Sequence, residues 1–488
     1  MASIDTTALF EGQAGVKVTA RAPKVSDTIL LTGAKVVKWS LRLVFVFIVA
    51  RTLGPNRFGV YALLFAMVEF LAVASGSGYE DYLTREAAKD PRLGWGLAFQ
   101  LMFLRVAIAV PGAAIEIGIL TLLRYAHPVL VGMAWMALTL VPRSLSEAVQ
   151  GVLRGIRQYA GYLLIEVILG GSLVVGAGFL LLLHGNLRMA IATEVVASVA
   201  ASLGALAFAL KYKTREATWL KGSHLVKTSA VFNVYMFIGS LYDRIDVVLL
   251  SKLAGDFATG IYSVAYRALG MTQILAYGVL YSLLPALSRS AGGVEERRRL
   301  ERAMGFLLSA AFAVVLATMV FAGPAVRLLL GERYAESASA LKILIWAVAL
   351  RYVNCALNIS LLAAGREKVF VVTSLVCLAV NSIGNLVFIP IYSWRAAAVM
   401  TIATELVLLV QNLYWVRRAV GGVALPRGMA RSLMVFVVLF GAALAGRYLG
   451  LPLVIGTMCL LIFAAYLYGS GMLTEFVTVW GAEGSSAA

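Results

Sequence analysis

The feature that most constrains this chain is the recurrence of apolar runs long enough to cross a bilayer, from residue 29 to residue 472. A hydrocarbon core about 30 Å thick takes about 20 apolar residues in helical form. Within it every backbone N–H and C=O must find a partner, which a helix supplies along its own length. Such runs lie at about 29–50, 58–78, 95–119, 128–150, 160–183, 188–210 and 228–251, and then at about 259–284, 304–330, 338–364, 369–392, 395–416, 432–449 and 452–472. They predict an all-α polytopic membrane protein with about 14 transmembrane helices. Only 14% of residues are charged, against about 25% in soluble domains, and mean hydropathy is +0.88, so a large soluble domain is excluded.

The loops carry the topology. One alternate set collects Arg85, Lys89, Arg154, Arg157, Lys211, Lys213, Arg297–Arg299, Arg366, Arg417 and Arg418, among others. The opposite set holds Arg51, Arg57, Arg124, Arg188, Lys252, Arg333, Arg395 and Arg447. The bias of about three to one places the first set and both termini in the cytoplasm, because cytoplasmic loops collect Lys and Arg. The formal charge of +17 therefore points to membrane orientation and not to nucleic acid.

No loop exceeds about 20 residues, so an extramembrane active site has nowhere to sit. The chain shows no HExxH, no paired CxxC and no phosphate-binding Gly-rich loop. His127, His184 and His224 are scattered, and Cys355, Cys377 and Cys459 lie in apolar runs. Neither a metal nor a cofactor is expected, and transport is favoured over an enzymatic reaction.

The chain also repeats itself. Gly59-Val60-Tyr61 returns as Gly260-Ile261-Tyr262, Gly155 as Gly365, and Met189 to Glu194 (MAIATE) as Met400 to Glu405 (MTIATE), at offsets of 201, 210 and 211 residues. Six helices separate the copies, so both enter the membrane in the same sense, as in a parallel transporter repeat. The expected layout is two pseudo-symmetric six-helix lobes around a central cavity, plus two C-terminal helices. The boundaries are a cytoplasmic N-terminal segment 1–28, an N-lobe 29–210, a cytoplasmic linker 211–227, a C-lobe 228–417, helices thirteen and fourteen at 432–472, and a cytoplasmic tail 473–488.

Charges inside the bilayer nominate the site. Lys35, Lys38 and Arg42 share a face of helix one at i, i+3, i+7 spacing. Each would cost about 2.5–3.5 kcal/mol at the centre of a lipid-facing helix. The stripe is expected to face a wet cavity, although Lys35 and Lys38 could instead snorkel to headgroups. Arg105, Arg143, Arg267 and Arg351 add internal cations, and Arg351 shares a face with Asn354 and Asn358. Glu69, Glu116, Glu147, Glu166, Glu194, Asp243, Asp246 and Glu405 are expected mostly to neutralise them, and the Asp243–Asp246 run could pair within itself or with a neighbouring helix end. Tyr266 and Tyr277 lie along one side of helix eight and are candidate sugar contacts.

The stretch Ala50-Arg51-Thr52-Leu53-Gly54-Pro55-Asn56-Arg57-Phe58-Gly59-Val60-Tyr61 resembles the opening of polysaccharide-biosynthesis flippases, as do Asp243–Val247 with Gly260–Arg267, Leu283–Ser288 and Asn381–Pro390. That family is part of the multidrug/oligosaccharidyl-lipid/polysaccharide exporter superfamily. The resemblance covers about residues 30–420. It implies alternating-access transport of undecaprenyl-diphosphate-linked repeat units for exopolysaccharide or O-antigen export, with a polymerase or export machinery as partner. Lys35, Lys38, Arg42, Arg105 and Arg351 would then bind the diphosphate, and Asp243, Asp246, Glu194 and Glu405 are candidates for ion coupling. The alternatives are a lipid II flippase, a multidrug exporter and a membrane-embedded glycan polymerase. A first helix bearing three cations speaks against a cationic drug, and the short loops speak against the polymerase.

Overall fold

The computed structural model describes residues 25–76, 79–212, 222–289, 294–366, 368–421 and 429–471. Most of the expected N-terminal segment, linker and tail lie outside them. The described residues form sixteen α-helices, one 3-10 turn and no strand. The first half comprises α1 (Val25–Ala74), α2 (Tyr79–Lys89), α3 (Pro91–Leu122), α4 (His127–Ala137), α5 (Leu140–Gly155), α6 (Tyr159–Leu182) and α7 (Leu187–Tyr212). The second half comprises α8 (Gly222–Leu253), α9 (Gly255–Arg289), α10 (Val294–Leu330), α11 (Ala335–Leu344), α12 (Ala347–Ala363), α13 (Lys368–Tyr392) and α14 (Trp394–Val420). The last pair is α15 (Met429–Tyr448) and α16 (Pro452–Gly469).

Ten of these helical stretches are long and apolar enough to cross a membrane, or eleven when the bent unit Glu332–Leu344 with Ala347–Ala363 counts as one span. The multi-pass character follows, and the helix boundaries differ from the expected runs in three places. Helices one and two are one element, α1, bent at Gly54, whose φ of 72° and ψ of 169° suit glycine and interrupt the helix. Pro55 follows and contributes no backbone donor there. Helix four divides into α4 and α5, and helix ten into α11 and α12 with a 47° bend.

The halves meet along α1, which packs on α6 within its own half and on α8 and α9 of the other. Where α1 crosses α9 the backbones nearly touch. A Cβ on Gly59 would strike the carbonyl of Asp256, and a Cβ on Gly260 would strike the carbonyl of Pro55. The repeated glycine is thus a reciprocal close approach. At the same end of the bundle Arg51 donates to the Leu328 carbonyl at 2.9 Å, Tyr334 to the Ala50 carbonyl at 2.9 Å, and Lys252 to the Leu123 carbonyl at 2.5 Å. That end is closed. The α15–α16 pair leans on α10, with Phe436 stacked on Phe312 at 4.8 Å.

Candidate functional site

Between the halves lies a cavity of about 350 Å³, lined from α1, α4–α9 and α12. Its wall carries six cations (Lys38, Arg42, Arg143, Arg244, Arg267 and Arg351) and five carboxylates (Glu69, Glu147, Glu166, Glu194 and Asp243). The helix-one stripe thus faces a polar cavity through Lys38 and Arg42. Lys35, one turn nearer the chain start, is exposed and outside the lining. The wall is close to charge balance, with one cation in excess, and is less cationic than the stripe alone suggests.

The balance comes from ion pairs between distant helices. Lys38 reaches Glu166 on α6 at 2.8 Å, and Gln150 on α5 donates to the same oxygen at 3.1 Å. Arg42 reaches Glu194 on α7 at 2.8 Å, and Tyr61 donates its hydroxyl to the other oxygen of Glu194. A ladder then runs from Arg105 through Glu147 (2.6 Å) to Arg143 (2.6 Å) and on to Glu69 (2.5 Å). Its last rung is Arg244 at 3.8 Å from Glu69, and it joins the two halves. Each contact takes a charge that would be costly in hydrocarbon and gives it a partner.

Two of the expected cations are therefore placed differently. Arg105 lies outside the lining, 4% exposed, because Glu147 holds it behind Arg143. Arg351 touches the cavity wall, but its side chain is only 6% exposed. It is bound to Glu405 at 2.6 Å and to the Tyr266 hydroxyl at 3.0 Å, while Asn354 donates to Glu405 at 3.0 Å. Tyr266 lines the cavity and donates to Asp243 at 2.9 Å. The side chain of Tyr277 lies outside what the structure describes. Among the acidic candidates, Glu194 and Asp243 line the cavity. Glu405 and Asp246 are buried beyond it, Asp246 accepting the Tyr262 hydroxyl. Arg244 turns to Glu69 and does not pair within the Asp243–Asp246 run. Glu116 has no cation partner among the described residues, contrary to the pairing expected of the acidic set.

The structure adds residues that local spacing could not nominate. Phe65, on the second arm of α1, carries three guanidiniums around one ring: Arg42 at 4.6 Å, Arg267 at 4.7 Å and Arg244 at 5.5 Å. Arg267 has no carboxylate partner among the described residues. Gln150 and Gln273 add neutral hydrogen-bonding groups to the wall. A cavity of this size falls in the small-molecule range of about 300–1,000 Å³. Forked guanidiniums and a lysine beside hydroxyl and amide groups suit a phosphorylated, hydroxyl-rich headgroup.

Comparison with known proteins decides the family. Residues 25–291, more than half of the chain, match the polysaccharide biosynthesis protein family. The chain belongs to that family. Residues 232–387 also match the MatE family. Among solved structures, the lipid II flippase MurJ in an inward closed conformation superposes with a TM-score of 0.68 at 12% identity, covering 92% of this chain and 99% of that one. An inward-facing multidrug resistance MATE family transporter of the MOP superfamily gives 0.64 at 15% identity, over 79% and 94%. A MOP superfamily transporter from Pyrococcus furiosus gives 0.58 at 16% identity, over 81% and 95%. These likenesses establish the transporter fold of the polysaccharide biosynthesis family member. No curated protein matches the chain.

Proposed function

We propose that this polysaccharide biosynthesis family member is a flippase. It moves undecaprenyl-diphosphate-linked oligosaccharide repeat units across the bacterial inner membrane, for exopolysaccharide or O-antigen export. The observation that carries this reading is the cavity between the halves, where Lys38, Arg42, Arg244 and Arg267 face a space closed at one end. A diphosphate in hydrocarbon has a prohibitive desolvation cost, which paired cations largely offset. The cavity holds the diphosphate and the first sugar units, with Tyr266, Gln150 and Gln273 toward the hydroxyls. A second reading, a lipid II flippase, shares the lipid diphosphate. It is favoured by the superposition on MurJ, which extends over 92% of this chain.

The same proposal fixes topology and coupling. At about 1.5 Å per residue, the 42 residues of Gly33–Ala74 are about twice as long as one crossing needs, so α1 crosses twice about Gly54. Counting α8 and α9 as spans then gives fourteen, arranged as an N-lobe (29–210), a C-lobe (228–417) and two further helices. The closed end, with Arg51 and Lys252, faces the periplasm, and both termini are cytoplasmic. When a phosphate takes Arg42, Glu194, which lines the cavity, is left without its cation. Glu194 is therefore the leading coupling group, ahead of Asp243, Asp246 and Glu405.

Complementation of surface-polysaccharide export in a flippase-null host tests the function. Arg42→Ala abolishes export while immunoblots show normal membrane insertion, and Arg42→Lys restores it in part. Lys35→Ala leaves export near wild type. Full export by a well-inserted Lys38→Ala/Arg42→Ala protein contradicts the proposal, and rescue of a lipid II flippase-null host instead selects the second reading.

A further inference from the structure

Three like charges gathered on one aromatic ring call for a reason. The centres of Arg42, Arg267 and Arg244 lie 4.6, 4.7 and 5.5 Å from the centroid of Phe65. The ring and Arg42 belong to α1, whereas Arg244 and Arg267 come from α8 and α9 in the other half. Two of the three are only partly neutralised. Arg244 is 3.8 Å from Glu69, and Arg267 pairs with no carboxylate among the described residues. Phe65 itself is held in place by stacking on Tyr61, with centroids 6.3 Å apart, and Tyr61 in turn stacks on Phe58 at 5.7 Å. The ring lines the cavity. An aromatic face attracts cations through its quadrupole, more strongly where water is excluded.

We propose that Phe65 is a positioning residue that assembles these three guanidiniums into one anion subsite spanning both halves, and that the subsite selects a diphosphate over a single phosphate. The inference rests on the flippase reading for the identity of the lipid, though not for the existence of the subsite. One phosphate can accept from several guanidiniums, but a diphosphate carries more charge over a longer span, so three forked donors from two halves can grip both of its phosphates at once. The ring holds the arginines close enough to act together before the ligand arrives. Its counterpart by the 201-residue offset is Tyr266, over which Arg351 sits at 5.4 Å. An aromatic ring carrying an arginine is therefore a feature of both halves, and among the described residues the ring of the first half gathers three cations where Tyr266 carries Arg351.

The test is calorimetric titration of the purified full chain in detergent with inorganic pyrophosphate and, separately, inorganic phosphate. Wild type binds pyrophosphate more tightly than phosphate. Phe65→Leu, which keeps an apolar side chain of similar size without the quadrupole, weakens pyrophosphate binding on the order of ten-fold and narrows the preference, with thermal unfolding unchanged. Phe65→Tyr restores both, which a role in packing alone would not require. Equal pyrophosphate affinity in wild type and Phe65→Leu overturns the inference, as does a wild type with no preference. A wild type that prefers pyrophosphate, loses that preference in Phe65→Leu, and yet supports no export in the flippase-null host leaves the subsite standing and removes the flippase reading. Normal export by Phe65→Leu with unaltered pyrophosphate binding does the reverse.

Discussion

In the first half Arg42 pairs with Glu194 and keeps 22% of its side chain exposed, whereas in the second half Arg351 pairs with Glu405 and keeps 6%. Both glutamates stand at matched positions of the repeat, and both arginines lie over an aromatic ring, Phe65 or Tyr266. The rings differ by one hydroxyl. Tyr266 uses it to accept from Arg351 and to donate to Asp243, and Asn354 adds a further donor to Glu405. Phe65 offers no such bond and leaves its guanidiniums facing the cavity. The same motif is thus a buried, fully bonded pair on one side and a set of cations facing a cavity on the other. The lesson is that a repeat preserves placement, and the surrounding hydrogen bonds decide use.

The widest separation should come from removing the two arginines. Arg42→Ala lowers export on the order of a hundred-fold with folded protein retained, since Tyr61 still donates to Glu194 beside the cavity. Arg351→Ala leaves Glu405 buried without its cation, at a cost of about 3–5 kcal/mol, so thermal unfolding in detergent falls sharply. If both variants lose stability equally, or both lose only transport, the contrast between the halves is void.

The next effect is symmetric where the first was not. Valine at Gly59 or at Gly260 puts a side chain against the opposing carbonyl, and either variant should open the closed end and reduce export by about ten-fold. Reaction of a cysteine introduced at Ala50, fully buried where Tyr334 meets its carbonyl, with a membrane-impermeant maleimide reads that opening. Gly239→Ala, with open space around it, serves as the neutral control. A large effect at only one of the two crossing glycines would show that the approach is not reciprocal.

How much of this was legible depends on distance along the chain. The spans and the Lys38–Arg42 face follow from apolar length and helical spacing, both local properties. Gly59 and Gly260 were visible as repeats, though not as reciprocal contacts. Glu166 and Glu194 lie 128 and 152 residues from the cations they bind, and no local period connects them. The position of Arg105 behind Glu147 is hidden for the same reason, since its burial is set by Arg143 on another helix. Phe65 read as one more apolar residue. Its match to Tyr266 at the offset shared by Gly59 and Gly260 is the one signal that could have singled it out.

A smaller difference concerns pH. Glu194→Gln should flatten the pH dependence of transport, because the carboxylate that Arg42 would release to a phosphate is then an amide. Glu405→Gln keeps the wild-type profile, since Glu405 lies outside the cavity lining. Transport by reconstituted vesicles across a pH series distinguishes them, and identical profiles in all three proteins would remove Glu194 from coupling. The smallest effect belongs to Glu116, a carboxylate with a buried, unpartnered oxygen. Glu116→Gln leaves export unchanged and thermal stability equal or slightly raised, because it removes a desolvated charge without breaking an ion pair.

The most direct test is retention of lipid by the cavity itself. Native mass spectrometry of the purified protein with an undecaprenyl-diphosphate-linked sugar should show a one-to-one complex for wild type and for Glu116→Gln. It should show almost none for the Arg42→Ala/Arg267→Ala double variant at the same folded fraction. Equal lipid retention by that double variant would contradict the account, because it would place the diphosphate away from the arginines gathered on Phe65.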